Sequence, residues 1–306
     1  MNNQLKLSVS PHIHSGRSTR SIMLDVLIAL LPATVAGALI FGLRSLLVVA
    51  VTVAACVGFE ALFCLVAKKT IPVGDLSAAV TGLLLALNLP ANIPLWQCVV
   101  GALFAMVVVK GLFGGLGANP VNPAITARVF MLVAFASLTK VAFPVDAVSS
   151  ATPLASEEAT SLMDLFLGNH GGAIGETCAL ALLLGGVYLL VRRVITWHIP
   201  VAFIGTVFLM SFLLEGMSAT AALAAILSGG LLIGAIFMAT DYVTSPTTPW
   251  GRIIFGLGAG LITILIRYFG NYPEGVSFAI LFMNILTPYI TIWTRRRIFG
   301  MGGHKA

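Results

Sequence analysis

Ile22–Gly42 reads IMLDVLIALLPATVAGALIFG, and three residues later Leu46–Ala67 continues with LLVVAVTVAACVGFEALFCLVA. Neither run contains a cation, and each holds a single carboxylate, Asp25 in the first and Glu60 in the second. About 20 apolar residues are enough for a helix to cross a hydrocarbon layer of about 30 Å, so each run reads as a membrane span. The same pattern recurs along the chain. Apolar runs bounded by charge, Pro or Gly follow at Leu76–Leu89, Leu95–Phe113, Pro123–Leu138, Thr177–Val191, Ile199–Leu214, Ala219–Ala239, Ile253–Phe269 and Val276–Trp293. The expectation is an all-α polytopic membrane protein of about ten transmembrane helices. Because the third and fifth runs are short, nine or eleven crossings are also compatible with the pattern.

Composition agrees. Of 306 residues, 58% are hydrophobic and 9% charged, with mean hydropathy +1.03. That excludes a water-soluble enzyme and leaves no room for a large soluble domain. Lys and Arg number 17 against 11 Asp and Glu. On a soluble protein this excess would suggest nucleic acid, but no RNA- or DNA-binding pattern accompanies it. Loops kept on the cytoplasmic side of a membrane collect Lys and Arg, so the lipid bilayer explains the charge without a polyanionic partner.

With a cytoplasmic N-terminus and ten crossings, the outer side keeps only Arg44, Lys140 and Arg267 of the 17 cations. An even number of spans with both ends cytoplasmic therefore satisfies the positive-inside rule. The expected divisions are a cytoplasmic segment at 1–21, a first five-helix half at 22–139, an extracytoplasmic loop at 140–175, a second five-helix half at 176–294 and a basic cytoplasmic tail at 295–306. Five spans per half means the second half enters from the opposite side, as in inverted-repeat architectures. Thr81-Gly82-Leu83-Leu84 before Pro94-Leu95-Trp96 is echoed by Gly229-Gly230-Leu231-Leu232 before Pro249-Trp250.

The four cysteines, Cys56, Cys64, Cys98 and Cys178, form no C-x-x-C pair and have no neighbouring histidines. Zinc and iron–sulfur centres need grouped thiolates, so no metal site is expected. The polar stretch before Ile22, with Arg17 and Arg20, differs from a cleavable signal peptide, whose apolar region starts near the first residues.

The outer loop contains Asp146-Ala147-Val148-Ser149-Ser150-Ala151-Thr152-Pro153-Leu154. Small residues around one hydroxyl leave the chain accessible to a modifying enzyme, and a threonine oxygen can form a phosphoester. An ordinary Ser/Thr turn or helix cap has the same composition. The segment resembles the D-x-x-S-G-A-T flavinylation motif of the Rnf and Na+-translocating NADH:quinone oxidoreductase families. Further matches to the RnfD/NqrB family, in order along the chain, are Ser10-Pro11-His12, Ser18-Thr19, Lys110 to Gly117 (KGLFGGLG), Asn122-Pro123-Ala124, Gly175-Glu176-Thr177 and Ala239 to Pro246 (ATDYVTSP). The short extension before the first span is more similar to the RnfD branch.

The resemblance implies that Thr152 carries FMN through its phosphate, with Asp146, Ser149, Ser150 and Ala151 forming the recognised surround. Ser150 stands where the motif usually has Gly, which lowers backbone freedom there. It also implies electron exchange with an RnfG-like flavoprotein, association with RnfA/RnfE-like membrane subunits, maturation by a flavin transferase and coupling of electron flow between ferredoxin and NAD to Na+ or H+ movement. The chain lacks the Gly-rich strand-turn-helix site that would bind NAD itself.

Lys140 and Arg267 are candidates for stabilising a reduced, anionic flavin near the outer face. Ordinary snorkelling at helix ends is the structural alternative. Glu60, inside a span, is costly to bury and is a candidate on an ion or proton route. Asp25, Lys110, Arg128, Glu176 and Asp241 lie nearer the interfaces, and pairing of Asp25 or Glu60 with Lys110 or Arg128 is the structural alternative. The hydroxyl- and proline-rich Thr240–Arg252, with Thr244 and Ser245, faces the same side as Gly111–Asn122. Backbone of this kind at membrane depth must line a cavity or meet protein. Either segment could cradle a second, noncovalent flavin such as riboflavin, or dock a partner subunit. The rival to the redox reading is a small-solute channel or secondary transporter with the same inverted plan.

Overall fold

The computed structural model describes residues 17–69, 72–135, 161–270 and 275–295, and the regular structure among them is helical. Helices α1 (Thr19–Phe41) and α2 (Leu43–Val66) realise the two opening runs. They begin where local chemistry allows. Ser18 caps α1 by accepting from the Ser21 amide, and Gly42, at φ 75°, makes the turn into α2 in a conformation that favours glycine. The first half continues with α3 (Ser77–Leu87), α4 (Leu95–Leu103, running into a π-helix over Phe104–Gly111) and α5 (Pro123–Ala134).

A short α6 (Leu162–Leu167) precedes the second half. That half comprises α7 (Ala179–Val191), α8 (His198–Leu214), α9 (Ala219–Leu227), α10 (Leu231–Ile233, running into a π-helix over Gly234–Met238), α11 (Pro249–Phe269) and α12 (Val276–Thr294). Prolines open α5 and α11 behind the caps Asn122 and Thr248, where the missing N–H costs nothing. By length and composition α1, α2, α11 and α12 can each cross a bilayer, and the pair α9 and α10, bent by 67°, makes a fifth if counted as one span.

Packing repeats between the halves. Helix α4 lies along α2 as α11 lies along α8, α5 follows α4 as α12 follows α11, and α1 meets α7 where the halves join. The echoed Pro94 and Pro249 both stand at helix starts, those of α4 and α11. Two close approaches depend on glycine. A β-carbon on Gly185 of α7 would overlap the Ala29 carbonyl oxygen of α1, and one on Gly82 of α3 would lie 2.8 Å from the Val53 α-carbon of α2. The outward surface carries Leu43, Val66, Val187, Val191, Phe269 and Trp293, all largely exposed, as expected of a surface solvated by lipid rather than water.

Contacts define two faces. At one, the Arg17 guanidinium donates to Arg193 O, Arg252 to Thr196 Oγ1 and the Tyr242 hydroxyl to Val194 O. This face gathers Arg17, Arg20, Lys68, Lys69, Arg192, Arg193, Arg252 and Arg295, with Lys110 and Arg128 just inside it. At the other face, the described cations are Arg44 and Arg267. Arg44 donates to the carbonyls of Ala91, Asn92 and Ile93, and Arg267 to those of Ala225 and Ser228.

The end of the expected outer loop departs from expectation. Residues 170–177 are buried against the break that follows α3, not exposed. Ile174 N donates to Leu89 O at 3.0 Å and Gly175 N to Leu87 O at 2.7 Å, while Ala173 N donates to Glu176 Oε1 at 2.9 Å. Backbone buried in this way has no water to bond, so it pairs with other backbone opened by a broken helix. Of the described residues in the 140–175 segment, exposed positions end at Asn169.

Candidate functional site

The basic face opens into a pocket between α1, α3 and α7 that encloses about 90 Å3, and about 780 Å3 counting the space open to the surroundings. Both π-helices end at it, one delivering Lys110 and the other leading into Thr240 and Asp241. A π-turn shifts side-chain register and recurs at functional sites. Ile22, Val26, Leu84 and Leu189 supply apolar walls, and Asn119 and Asn122 polar ones.

Lys110 is the charge at the centre. Its Nζ lies 2.6 Å from Glu60 Oε1 with both side chains 5% exposed. It also donates to Ser77 Oγ at 2.6 Å, and that hydroxyl donates to Asp75 Oδ1 at 2.6 Å. Four polar side chains from α2, the turn before α3, α3 itself and the π-helix thus form one chain. Glu60 Oε2 is buried with no hydrogen-bond partner among the described residues. The second carboxylate oxygen can therefore accept a further donor.

The pocket's far wall is held by amides. Asn122 Oδ1 accepts from the amides of Ala124 and Ile125, capping α5, while its Nδ2 donates to Met238 O at 3.2 Å. Asn284, in the orientation that satisfies its neighbours, donates to Thr244 O and accepts from Asn122 N, each at 3.2 Å. Thr287 donates to the same Thr244 carbonyl at 2.9 Å. Thr244 in turn donates to Asp241 Oδ2 at 3.0 Å. Burial pushes the Asp241 carboxyl above the usual range, opposed by the Thr244 hydroxyl and nearby amides.

Of the residues singled out from sequence, Glu60, Lys110 and Asp241 converge here, and Thr244 and Ser245 stand behind Asp241, with Ser245 N donating to Asp241 O at 3.1 Å. Glu60 pairs with Lys110, as one of the sequence alternatives had it. Asp25 instead accepts from Tyr188 at 2.9 Å and from Arg192 at 3.2 Å, tying α1 to α7. Arg267 lies at the opposite face, donating to the carbonyls at the end of α9. Lys140, Asp146, Ser149, Ser150, Ala151 and Thr152 lie outside the described residues. Asp75 and Ser77 were not legible as site residues, because nothing in their local pattern announces a lysine 33 residues away.

No group of three or more His, Cys, Asp or Glu able to hold a metal ion occurs among the described residues. A body of apolar helices, several long enough to cross a bilayer, around a buried ammonium–carboxylate pair defines the class as a polytopic helical membrane protein. The chain belongs to the NQR2, RnfD, RnfE family, whose sequence profile matches residues 6–300. It is 47% identical to the D subunit of the Na(+)-translocating ferredoxin:NAD(+) oxidoreductase complex of Acetobacterium woodii, over 98% of this chain and 97% of that protein. It is 40% identical to the D subunit of the proton-translocating ferredoxin:NAD(+) oxidoreductase complex of Clostridium ljungdahlii, over 97% of each. Identity to the D subunit of the ion-translocating oxidoreductase complex of Salmonella arizonae is 35%, over 96% of this chain and 98% of that protein.

Proposed function

We propose that this chain is the D-type membrane subunit of an Rnf-type, ion-translocating ferredoxin:NAD oxidoreductase complex, carrying electrons on FMN esterified to Thr152. The observation that carries this reading is the near-full-length likeness to D subunits of such complexes. The basic face is cytoplasmic, because it collects the Lys and Arg residues of the described chain. The described flanks of the Thr152 loop belong to the opposite face. Phe135 meets Trp96 edge-on at the start of α4, near the segment that Arg44 caps, which supports a flavin held outside the membrane. There it exchanges electrons with an RnfG-like flavoprotein, while RnfA/RnfE-like subunits flank the helices and a flavin transferase loads the threonine.

The cytoplasmic pocket takes a second, noncovalent flavin such as riboflavin. Its residues fit such a group: apolar side chains for the faces of a ring system, and Asn119, Thr240 and Asp241 at the polar edge. Flavin supplies one- or two-electron exchange, and the protein supplies position and electrostatics. Lys110 presents positive charge beside the pocket, Glu60 holds that ammonium in place, and α1 and α7, joined by Asp25, Tyr188 and Arg192, close the apolar wall.

Relatives of comparable identity bear names with different ions, so likeness does not choose between Na+ and H+ for this chain. Ferredoxin-driven uptake into vesicles, with and without Na+, makes that choice. The covalent site is tested by coexpressing the chain with a flavin transferase and viewing a denaturing gel under ultraviolet light. Fluorescence in the wild-type band that vanishes in Thr152→Ala supports the reading, and a dark wild-type band beside a labelled partner protein overturns it.

A further inference from the structure

Outside the pocket, α7 and α8 leave an apolar groove on the membrane-facing surface, with about 900 Å3 of empty space counting what is open to the surroundings. Leu183, Val187 and Leu190 line one side and Val201, Gly205 and Phe208 the other. From Pro200 to Phe208 the groove follows about 12 Å of helix at 1.5 Å per residue, the depth of roughly one leaflet of a 30 Å hydrocarbon layer. It begins at the basic face and ends at mid-depth on Ile226 of α9, which packs along the remainder of α8. Gly205 has nothing within 4 Å of where its β-carbon would stand, so the groove is open over its whole width there.

The mouth is cationic. Arg192 and Arg193 fall between the groove residues Leu190 and Ile195 and are exposed; Arg192 is held by Asp25, so the charge offered to the groove is that of Arg193. Arg193 is turned out of the helix by its positive φ of 54°. The N-terminus of α8 opens at the same place, and Pro200 in its first turn offers no N–H, so the free amides are those of His198 and Ile199. A helix N-terminus favours an anion, and exposed Trp197 marks the headgroup level.

We infer that this groove is a binding site for an anionic phospholipid, one acyl chain lying between α7 and α8 and the phosphate resting on Arg193 and the start of α8. A helix from another subunit fits less well. It would need an apolar path through both leaflets, whereas this one closes halfway and presents charge where a lipid tail meets its headgroup. The inference goes beyond the redox reading and does not depend on either flavin.

The test uses the purified complex, depleted of lipid in detergent and supplied with phosphatidylglycerol or phosphatidylcholine of matched chains. Native mass spectrometry then reads the lipid retained on this chain after its release from the complex. Wild type retains phosphatidylglycerol about fivefold better, the effect of about one cation at a membrane surface. Arg193→Gln removes that preference and leaves phosphatidylcholine unchanged, while Gly205→Leu fills the groove and lowers retention of both. Arg193→Gln, a change at an exposed side chain, decides the matter alone if Gly205→Leu does not assemble. Equal retention of the two lipids on wild type overturns the inference, as does a thiol cross-link from Gly205→Cys to a helix of another subunit.

Discussion

Removing one member of the Lys110–Glu60 pair probes the site most sharply. At 2.6 Å the pair's attraction is about 6 kcal/mol with an effective dielectric of 20, offset by the cost of withdrawing both charges from water. Glu60→Gln removes the counter-charge and leaves the ammonium with neutral acceptors, the amide oxygen and the Ser77 hydroxyl, and Lys110→Met leaves the carboxylate without its cation. Breaking a buried pair this way costs about 3–5 kcal/mol, whereas replacing both members with apolar residues of similar volume is close to neutral. The expected order of thermal unfolding midpoints in detergent is wild type, then the Lys110→Met/Glu60→Leu double variant close behind. Lys110→Met and Glu60→Gln should lie lower by on the order of 10 °C. The double variant should nonetheless lose ferredoxin-driven electron transfer, because the pocket has lost its fixed charge. Single variants as stable as wild type, or a double variant as unstable as the singles, would refute the argument that each charge holds the other.

Two further outcomes follow from packing and titration. Gly185→Leu puts a side chain into the Ala29 carbonyl and the Phe237 ring, so it should separate α7 from α1 and abolish assembly by native gel, while Gly205→Ala, facing open space, should assemble normally; equal yields would argue against the close approach. His170, in the buried segment before α7, faces the carbonyls of Gly171 at 3.0 Å and Thr177 at 3.2 Å, but burial outweighs them and lowers its pKa below the usual 6.5. The unfolded chain therefore binds that proton more readily. Its contribution to stability is whole above about pH 6.5 and is lost as pH falls toward the folded value, so wild type should lose more stability than His170→Gln between pH 7.5 and 5, and a smaller loss in wild type would contradict this.

Much of the fold was written in hydropathy. The ten apolar runs correspond to the main helices, because a bilayer admits few alternatives to helix for an apolar stretch. What escaped was where helices break and which distant groups meet. The run Ala219–Ala239 contains the bend at Ser228-Gly229-Gly230, yet glycines also sit inside unbroken helices such as α11, so their presence alone does not mark a break. Residues 170–177 are polar and glycine-rich enough to read as surface, and only the carbonyls freed after α3 explain their burial. The Glu60–Lys110 pairing could be named as one alternative, but Asp25 found Arg192, which is 167 residues away, because α1 and α7 pack across the repeat. Arg267 read as a candidate to stabilise a reduced flavin or as a snorkelling helix-end cation, and its bonds to Ala225 and Ser228 depend on where α9 ends.

The claim that this chain carries flavin on a threonine outside the membrane is tested most directly by peptide mass spectrometry of the assembled complex. The peptide containing Thr152 should carry the mass of FMN less one water, with fragment ions placing it on that residue. Finding the peptide unmodified while the flavoprotein partner from the same preparation carries its own would contradict the account.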